Sequence, residues 1–206
     1  MTTPILTIAN QLTILRMALT PLLVVLVLGR EFAWALAVFV VAGISDLLDG
    51  MIARWGHQRT TLGAMMDPVA DKMLLGASYV TLTWASGLHT RIPAWLTVIT
   101  LSRDIMILGS VVVINLTLGR RVFLPSLLGK LSTASQIVTA GVVLVLNALG
   151  EEFAPVRLLF YLTLLFTVAS AVHYVYLASA RRAAHVAWGR IEADQTDGPA
   201  GKAPQG

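Results

Sequence analysis

The chain contains no cysteine, which excludes disulfides and thiolate chemistry and leaves the redox compartment unmarked. Charge is scarce: Asp, Glu, Lys and Arg together make up 13% of the residues, against about 25% in soluble domains. The four histidines, His57, His89, His173 and His185, are scattered without ligand spacing, and none reads as a metal ligand. No Lys or Arg precedes the first apolar run and no A-x-A site follows it, so a cleaved signal peptide is not expected. No repeat recurs at a fixed period. What fills the chain instead is apolar sequence, 56% of 206 residues, with a net charge of +4 that suits contact with anionic lipid. This is the composition of an integral membrane protein.

A spanning helix needs about 20 apolar residues. Six runs qualify, at roughly 11–29, 32–53, 62–85, 93–116, 130–149 and 155–180. Between them stand the expected breakers: Gly29 with Arg30 and Glu31, then Gly56, Gly87, Pro93, Gly119, Pro125, Gly129, Gly150 and Pro155. The expectation is an all-α integral membrane protein with six transmembrane helices in one bundle over residues 1–190, followed by a flexible tail at 191–206. With the N-terminus in the cytoplasm, the inner segments hold Arg54, Arg59, Arg120, Arg121, Lys130, Arg181, Arg182, Arg190 and Lys202, and the outer loops only Arg30, Arg91 and Arg157. That bias puts both termini in the cytoplasm and the chain in an inner or plasma membrane.

Four carboxylates interrupt this apolar background. Asp46 and Asp49 close the second run, three residues apart, and Asp67 and Asp71 open the third, four apart. On helices each spacing puts a pair on one face. Ionised groups at membrane depth are costly and mark a site with a partner. Four facing acids repel unless a cation lies among them, so the cluster reads as a divalent-metal site at the cytoplasmic end. Pro68, between the second pair, falls either in the first helical turn or at a kink, and a kink would loosen the same-face argument. Lys72 either balances the acids or snorkels. An ion-paired seam in a non-enzymatic cation transporter or membrane scaffold is the reading from another class.

The run Asp46-x2-Asp49-Gly50-x2-Ala53-Arg54-x8-Gly63-x3-Asp67-x3-Asp71 resembles, at all eight fixed positions, the signature of the CDP-alcohol phosphatidyltransferases. The resemblance implies two Mg²⁺ or Mn²⁺ ions held by Asp46, Asp49, Asp67 and Asp71, with Asp71 also serving as base for an acceptor hydroxyl. It places the nucleotide lipid, CDP-diacylglycerol, against Gly50, Ala53, Arg54, Thr60 and Gly63. Small residues leave room for a flat base, and an arginine can grip a diphosphate in a bidentate fashion. Thr60 and Thr61 stand where the third helix should begin, so one of them caps it.

The N-terminal stretch Asn10-x-Leu12-Thr13-x2-Arg16 resembles the entry stretch of such proteins, with Ala9 where a proline is usual. Either its Arg16 snorkels from an interfacial helix, or the face of Asn10, Thr13 and Arg16 turns inward and holds a phosphate of the donor. Ile92-Pro93-Ala94-Trp95-Leu96 with Arg103-Asp104, and Pro125-Ser126-x2-Gly129-Lys130-x2-Thr133-x2-Gln136, resemble stretches of glycerophosphate-type members. They imply an acceptor pocket of Arg103, Arg120, Arg121, Ser126, Lys130 and Thr133, suited to sn-glycerol 3-phosphate. Arg120, Arg121 and Lys130 could equally be positive-inside anchors. Arg103 lies deep enough to need a buried partner, and Asp104 is expected to point elsewhere on the helix. Trp95, Tyr174 and Tyr176 read as interface aromatics.

The implied reaction is phosphatidyl transfer from CDP-diacylglycerol to sn-glycerol 3-phosphate with release of CMP; the alternative within the family takes phosphatidylglycerol and makes cardiolipin. Membrane lipids and a second copy of the chain, as a homodimer, are the implied partners. No nucleic-acid partner is expected.

Overall fold

The computed structural model describes the backbone of residues 8–55, 61–118 and 127–196, and the side chains of residue 11 and of 13–46, 70, 72–109 and 127–176. Among the described residues six helices follow one another: α1 (Ile8–Leu28), α2 (Phe32–Trp55), α3 (Thr61–Trp84), α4 (Ala94–Leu118), α5 (Leu127–Leu149) and α6 (Val156–Thr196). No strand occurs among the described residues. The helices therefore fall on the six apolar runs, because each run is bounded by residues that end or start helices. Gly150 takes φ +71° at the end of α5, with Gly150 N–H on the Asn147 carbonyl and Glu151 N–H on the Leu146 carbonyl. This is the Schellman closure, and glycine adopts it without a Cβ clash. The end of α1 closes in the same pattern, although there the left-handed residue is Arg30 (φ 63°), one beyond Gly29. Pro93 and Pro155 stand at the entrances to α4 and α6, where a missing N–H costs nothing.

One open alternative closes and one boundary differs from expectation. α3 begins at Thr61, so Pro68 lies well past the first turn and inside the helix. α6 runs on to Thr196, through Arg181, Arg182 and Arg190 and into the stretch expected as a tail. A helix needs no apolar surroundings to persist when its residues are good formers, and 178–194 is rich in Ala and Arg.

The connections at 29–31, 85–93 and 150–155 gather at one end, where they line a cavity of about 590 Å³ between Arg30, Glu31, Gly87, His89, Asn147 and Gly150. Asn147 ties this end together. Its Oδ1 accepts from the backbone N–H of His89 (2.8 Å) and Thr90 (3.3 Å), and its Nδ2 donates to the carbonyls of Thr90 (2.8 Å) and Val143 (2.7 Å). We call this the loop end, and the opposite one, which carries the four aspartates, the acid end.

α1 packs against α2 and α3; α5 against α2, α3 and α6; α4 against α3 and α6. The apolar core, with Leu23, Val27, Phe39, Leu75, Tyr79, Leu82, Leu96, Val143, Leu144 and Phe160, fills the middle and the loop end. Hydroxyl pairs cross the helix seams: Thr83 with Thr97 (2.7 Å), Thr139 with Thr163 (2.7 Å) and Ser132 with Thr167 (3.2 Å). Outward surfaces are apolar too. Leu158, Leu162, Leu165, Val168, Val172 and Val175 line α6 and are exposed. Among the described residues two helical stretches, Leu127–Leu149 and Val156–Tyr176, are long and apolar enough to cross a membrane.

Candidate active site

The acid end is built by the α2–α3 pair. Asp46 and Asp49 sit in the second half of α2 (Phe32–Trp55), and Asp67 and Asp71 in the first half of α3 (Thr61–Trp84). The connection at 56–60, which includes Thr60, lies outside the described residues, as do Arg120, Arg121 and Ser126. The side chains of Asn10, Asp49, Ala53, Arg54, Asp67 and Asp71 are also outside them, so only the helical placement of these residues, and of Gly50 and Gly63, is known.

Asp46 is described, and it is paired. Arg16 on α1 places Nη2 2.9 Å from Asp46 Oδ1. Arg16 is fully buried, whereas the Asp46 side chain is 42% exposed. Arg16 therefore does not snorkel, and a described partner of its guanidinium is a carboxylate. The polar face of α1 does turn inward, since Thr13 is fully buried beside it. A guanidinium on one oxygen fixes the carboxylate rotamer. Such a carboxylate is a hard oxygen donor, still accessible, of the kind that Mg²⁺ and Mn²⁺ take. The residue type and accessibility of Asp46 therefore fit a divalent ion.

A second charged cluster lies beside the first and was not foreseen. Arg103 and Asp104 are neighbours on α4 and both are buried. Contrary to expectation they bind each other, with Arg103 Nη1 donating to Asp104 Oδ1 at 2.7 Å. The arginine stem is long enough to bring its guanidinium round the helix, which the adjacent-residue argument from Cβ directions ignored. Arg103 Nη2 donates to Ser170 Oγ on α6 at 2.6 Å, and Lys72 Nζ on α3 lies 2.9 Å from Asp104 Oδ2. Lys72 thus neither snorkels nor is tied to the quartet of acids alone; its described partner is Asp104. Part of the signal was present in the sequence: Lys72, Arg103 and Asp104 are ionisable residues in apolar helices, and each must find some partner.

Of the residues implied for the acceptor, Arg103 is engaged by Asp104 and Ser170. Lys130 is exposed on α5, and the Thr133 hydroxyl donates to the Gly129 carbonyl of its own helix at 3.2 Å. No described contact joins Arg103 to Lys130 or Thr133. Among the aromatics, Trp95 stacks on Tyr161 with ring centroids 6.0 Å apart, and Tyr176 is exposed. Tyr174 departs from a simple interface residue, because its hydroxyl is buried without a partner among the described residues.

A family model described as CDP-alcohol phosphatidyltransferase matches residues 6–189 of this chain. The chain belongs to that family. Its members are membrane-embedded, in keeping with the two apolar spans. It is 46% identical over 106 residues to a Homo sapiens protein named cardiolipin synthase (CMP-forming), which covers 51% of this chain and 34% of the relative. A Drosophila melanogaster protein named probable cardiolipin synthase (CMP-forming) is 35% identical over 190 residues, 83% of this chain and 57% of the relative. A Mycobacterium tuberculosis (strain CDC 1551 / Oshkosh) protein named probable phosphatidylglycerophosphate synthase is 36% identical over 177 residues, 82% of this chain and 79% of the relative. The chain thus spans about a third of the human relative and somewhat over half of the fly one.

Proposed function

We propose that this protein transfers a phosphatidyl group from CDP-diacylglycerol to sn-glycerol 3-phosphate, giving phosphatidylglycerol phosphate and CMP. The observation that carries this reading is the mutual coverage with the mycobacterial relative, 82% of one chain and 79% of the other. The primary hydroxyl of the acceptor attacks the lipid-side phosphorus of the diphosphate. A P–O bond to the acceptor forms, the P–O bond to CMP breaks, and the hydroxyl proton passes to Asp71. Asp46, Asp49, Asp67 and Asp71 would hold one or two Mg²⁺ or Mn²⁺ ions, which supply charge neutralisation at the diphosphate. Arg16 keeps Asp46 aimed, and Arg54 grips the diphosphate. Gly50, Ala53 and Gly63 leave space for the nucleotide; Asn10, Thr13 and Thr60 contribute polar groups to it. Lys130, Thr133, Ser126, Arg120 and Arg121 would meet the acceptor phosphate.

In the same reading all six helices span an inner or plasma membrane, both termini lie in the cytoplasm, and the protein works as a homodimer. The loop end carries an exposed set of aromatics, Trp34, Trp84, Trp95 and Tyr161, which suits a membrane–water interface. The exposed apolar stripe of α6 from Leu158 to Val175 rises roughly 25 Å at helical pitch, close to a hydrocarbon core.

A second reading is favoured by the 46% identity to the human relative over 106 residues. By that reading the acceptor is phosphatidylglycerol and the product cardiolipin. Locking Arg103 into an ion pair removes one cation from the pocket meant for a free phosphate, which also points this way. Offering both acceptors to the purified protein with CDP-diacylglycerol and Mn²⁺, and identifying the lipid product by mass spectrometry, separates the two. Phosphatidylglycerol phosphate supports the first reading, and cardiolipin alone replaces it with the second.

A further inference from the structure

The seam between α3 and α4 is closed in two different chemistries. Towards the loop end it uses neutral hydroxyls: the Thr83 hydroxyl donates to the Tyr79 carbonyl, so the Thr97 hydroxyl must donate to Thr83 across the 2.7 Å gap. In the middle, Gly76 lets the helices approach until a Cβ there would stand 3.3 Å from Leu101 Cδ2. Only at the acid end does the seam turn to charge, with Lys72 on Asp104. Positions 72, 76 and 83 on α3 meet 104, 101 and 97 on α4, one continuous antiparallel stripe. If the seam needed only glue, another hydroxyl pair would serve without burying ions.

The charged end does more than join two helices. Asp104 holds Lys72 of α3 on one oxygen and Arg103 on the other, and Arg103 reaches Ser170 of α6. The side chains of Arg103 and Asp104 are 5% and 10% exposed and Ser170 is 1% exposed, so water is kept from the Arg103 bonds, while the Lys72 side chain is 23% exposed. Lys72 directly follows Asp71 in the helix, and fixing its azimuth fixes that of its neighbour, because the helical backbone permits no independent rotation. We propose that Asp104 is a positioning residue for the acid site: by anchoring Lys72, with Arg103 and Ser170 as its brace on α6, it sets the rotation of α3 at the Asp71 turn and thereby the affinity for a divalent cation. The proposal rests on the metal reading of the acid cluster given above, and it assigns Lys72, Asp104 and Ser170 to that site.

The test uses the purified full chain in detergent and Mn²⁺ as the probe, with free Mn²⁺ followed by electron paramagnetic resonance and thermal unfolding measured in excess EDTA. Asp104→Asn keeps the shape but leaves two buried cations without their shared carboxylate. It is expected to weaken Mn²⁺ binding by roughly 10- to 100-fold, as loss of an orienting partner does. Lys72→Met is expected to weaken it similarly, Lys72→Arg to restore most of it, and the double variant to be no worse than Asp104→Asn, because the two act as one unit. Unchanged Mn²⁺ affinity in Asp104→Asn with a lowered unfolding temperature would make the network structural only and overturn the proposal, as would losses that simply add. Where Asp104→Asn does not fold, Lys72→Met and Ser170→Ala carry the test, and Mn²⁺ binding unaltered in both overturns it. A wild-type protein that binds no Mn²⁺ overturns it too. A wild-type protein whose Mn²⁺ affinity depends on Asp104 but which releases no CMP upholds the positioning role and refutes the proposed transferase reaction.

Discussion

The two ends of this bundle are held by opposite means. At the loop end, one neutral side chain, Asn147, satisfies four backbone groups, and the apolar core packs beneath it. At the acid end, buried cations meet carboxylates: Arg16 with Asp46, and Lys72 and Arg103 with Asp104. Neutral hydrogen bonds hold helices together at little desolvation cost, whereas buried ions cost several kcal/mol each unless well paired. The costly chemistry is kept where an ionic substrate would bind. The difference teaches that neutral and ionic ways of joining helices are kept to separate ends of the same bundle, a division that the proposed reaction at the acid end would use.

If that division is right, substitutions at the two ends should fail in different ways. The largest effect belongs to Asp71→Asn: metal-supported CMP release from CDP-diacylglycerol should fall by roughly 100- to 10,000-fold, the range for a lost base. Far-ultraviolet circular dichroism should stay as in wild type. At the other end, Asn147→Leu strands backbone groups of His89 and Thr90, and unfolding in detergent should show a loss of about 2–4 kcal/mol. Its turnover per folded molecule should stay near wild type; a selective loss of turnover would break the comparison. Arg16→Met frees the Asp46 carboxylate and should raise the Mn²⁺ concentration for half-maximal rate by roughly 10- to 100-fold. Arg16→Lys should recover part of this. The smallest effect is expected for Thr139→Val, which removes one interhelical hydroxyl pair and should cost about 0.6 kcal/mol with no change in metal response.

The architecture was largely written in the run lengths and their breakers. Gly29, Pro93, Gly150 and Pro155 stand at or beside real helix ends, because each has a backbone preference that acts whatever surrounds it. α6 was cut short by the same logic, since hydropathy marks where a helix leaves apolar surroundings and not where it stops. The spacing of the four aspartates was legible, and the helices α2 and α3 preserve it. Pairings were not. Nothing local says that Arg16 on α1 will find Asp46 on α2, or that Arg103 will fold back on Asp104 instead of waiting for a ligand. Those choices depend on how the helices pack, and a sequence states only that each ion must find some partner. Ser170 and Tyr174 were hidden for the same reason. A serine and a tyrosine, one turn apart on an apolar helix, announce nothing until the packing shows what they face.

The most direct test strips the purified protein of metal with EDTA and supplies CDP-diacylglycerol and sn-glycerol 3-phosphate, with phosphatidylglycerol in a parallel sample. Mn²⁺ is then added while CMP is followed by chromatography. The account predicts no CMP before the addition and, after it, CMP in equal molar amount to the phospholipid formed. CMP released at the same rate without metal, or none released with either acceptor at any Mn²⁺ concentration, would contradict it.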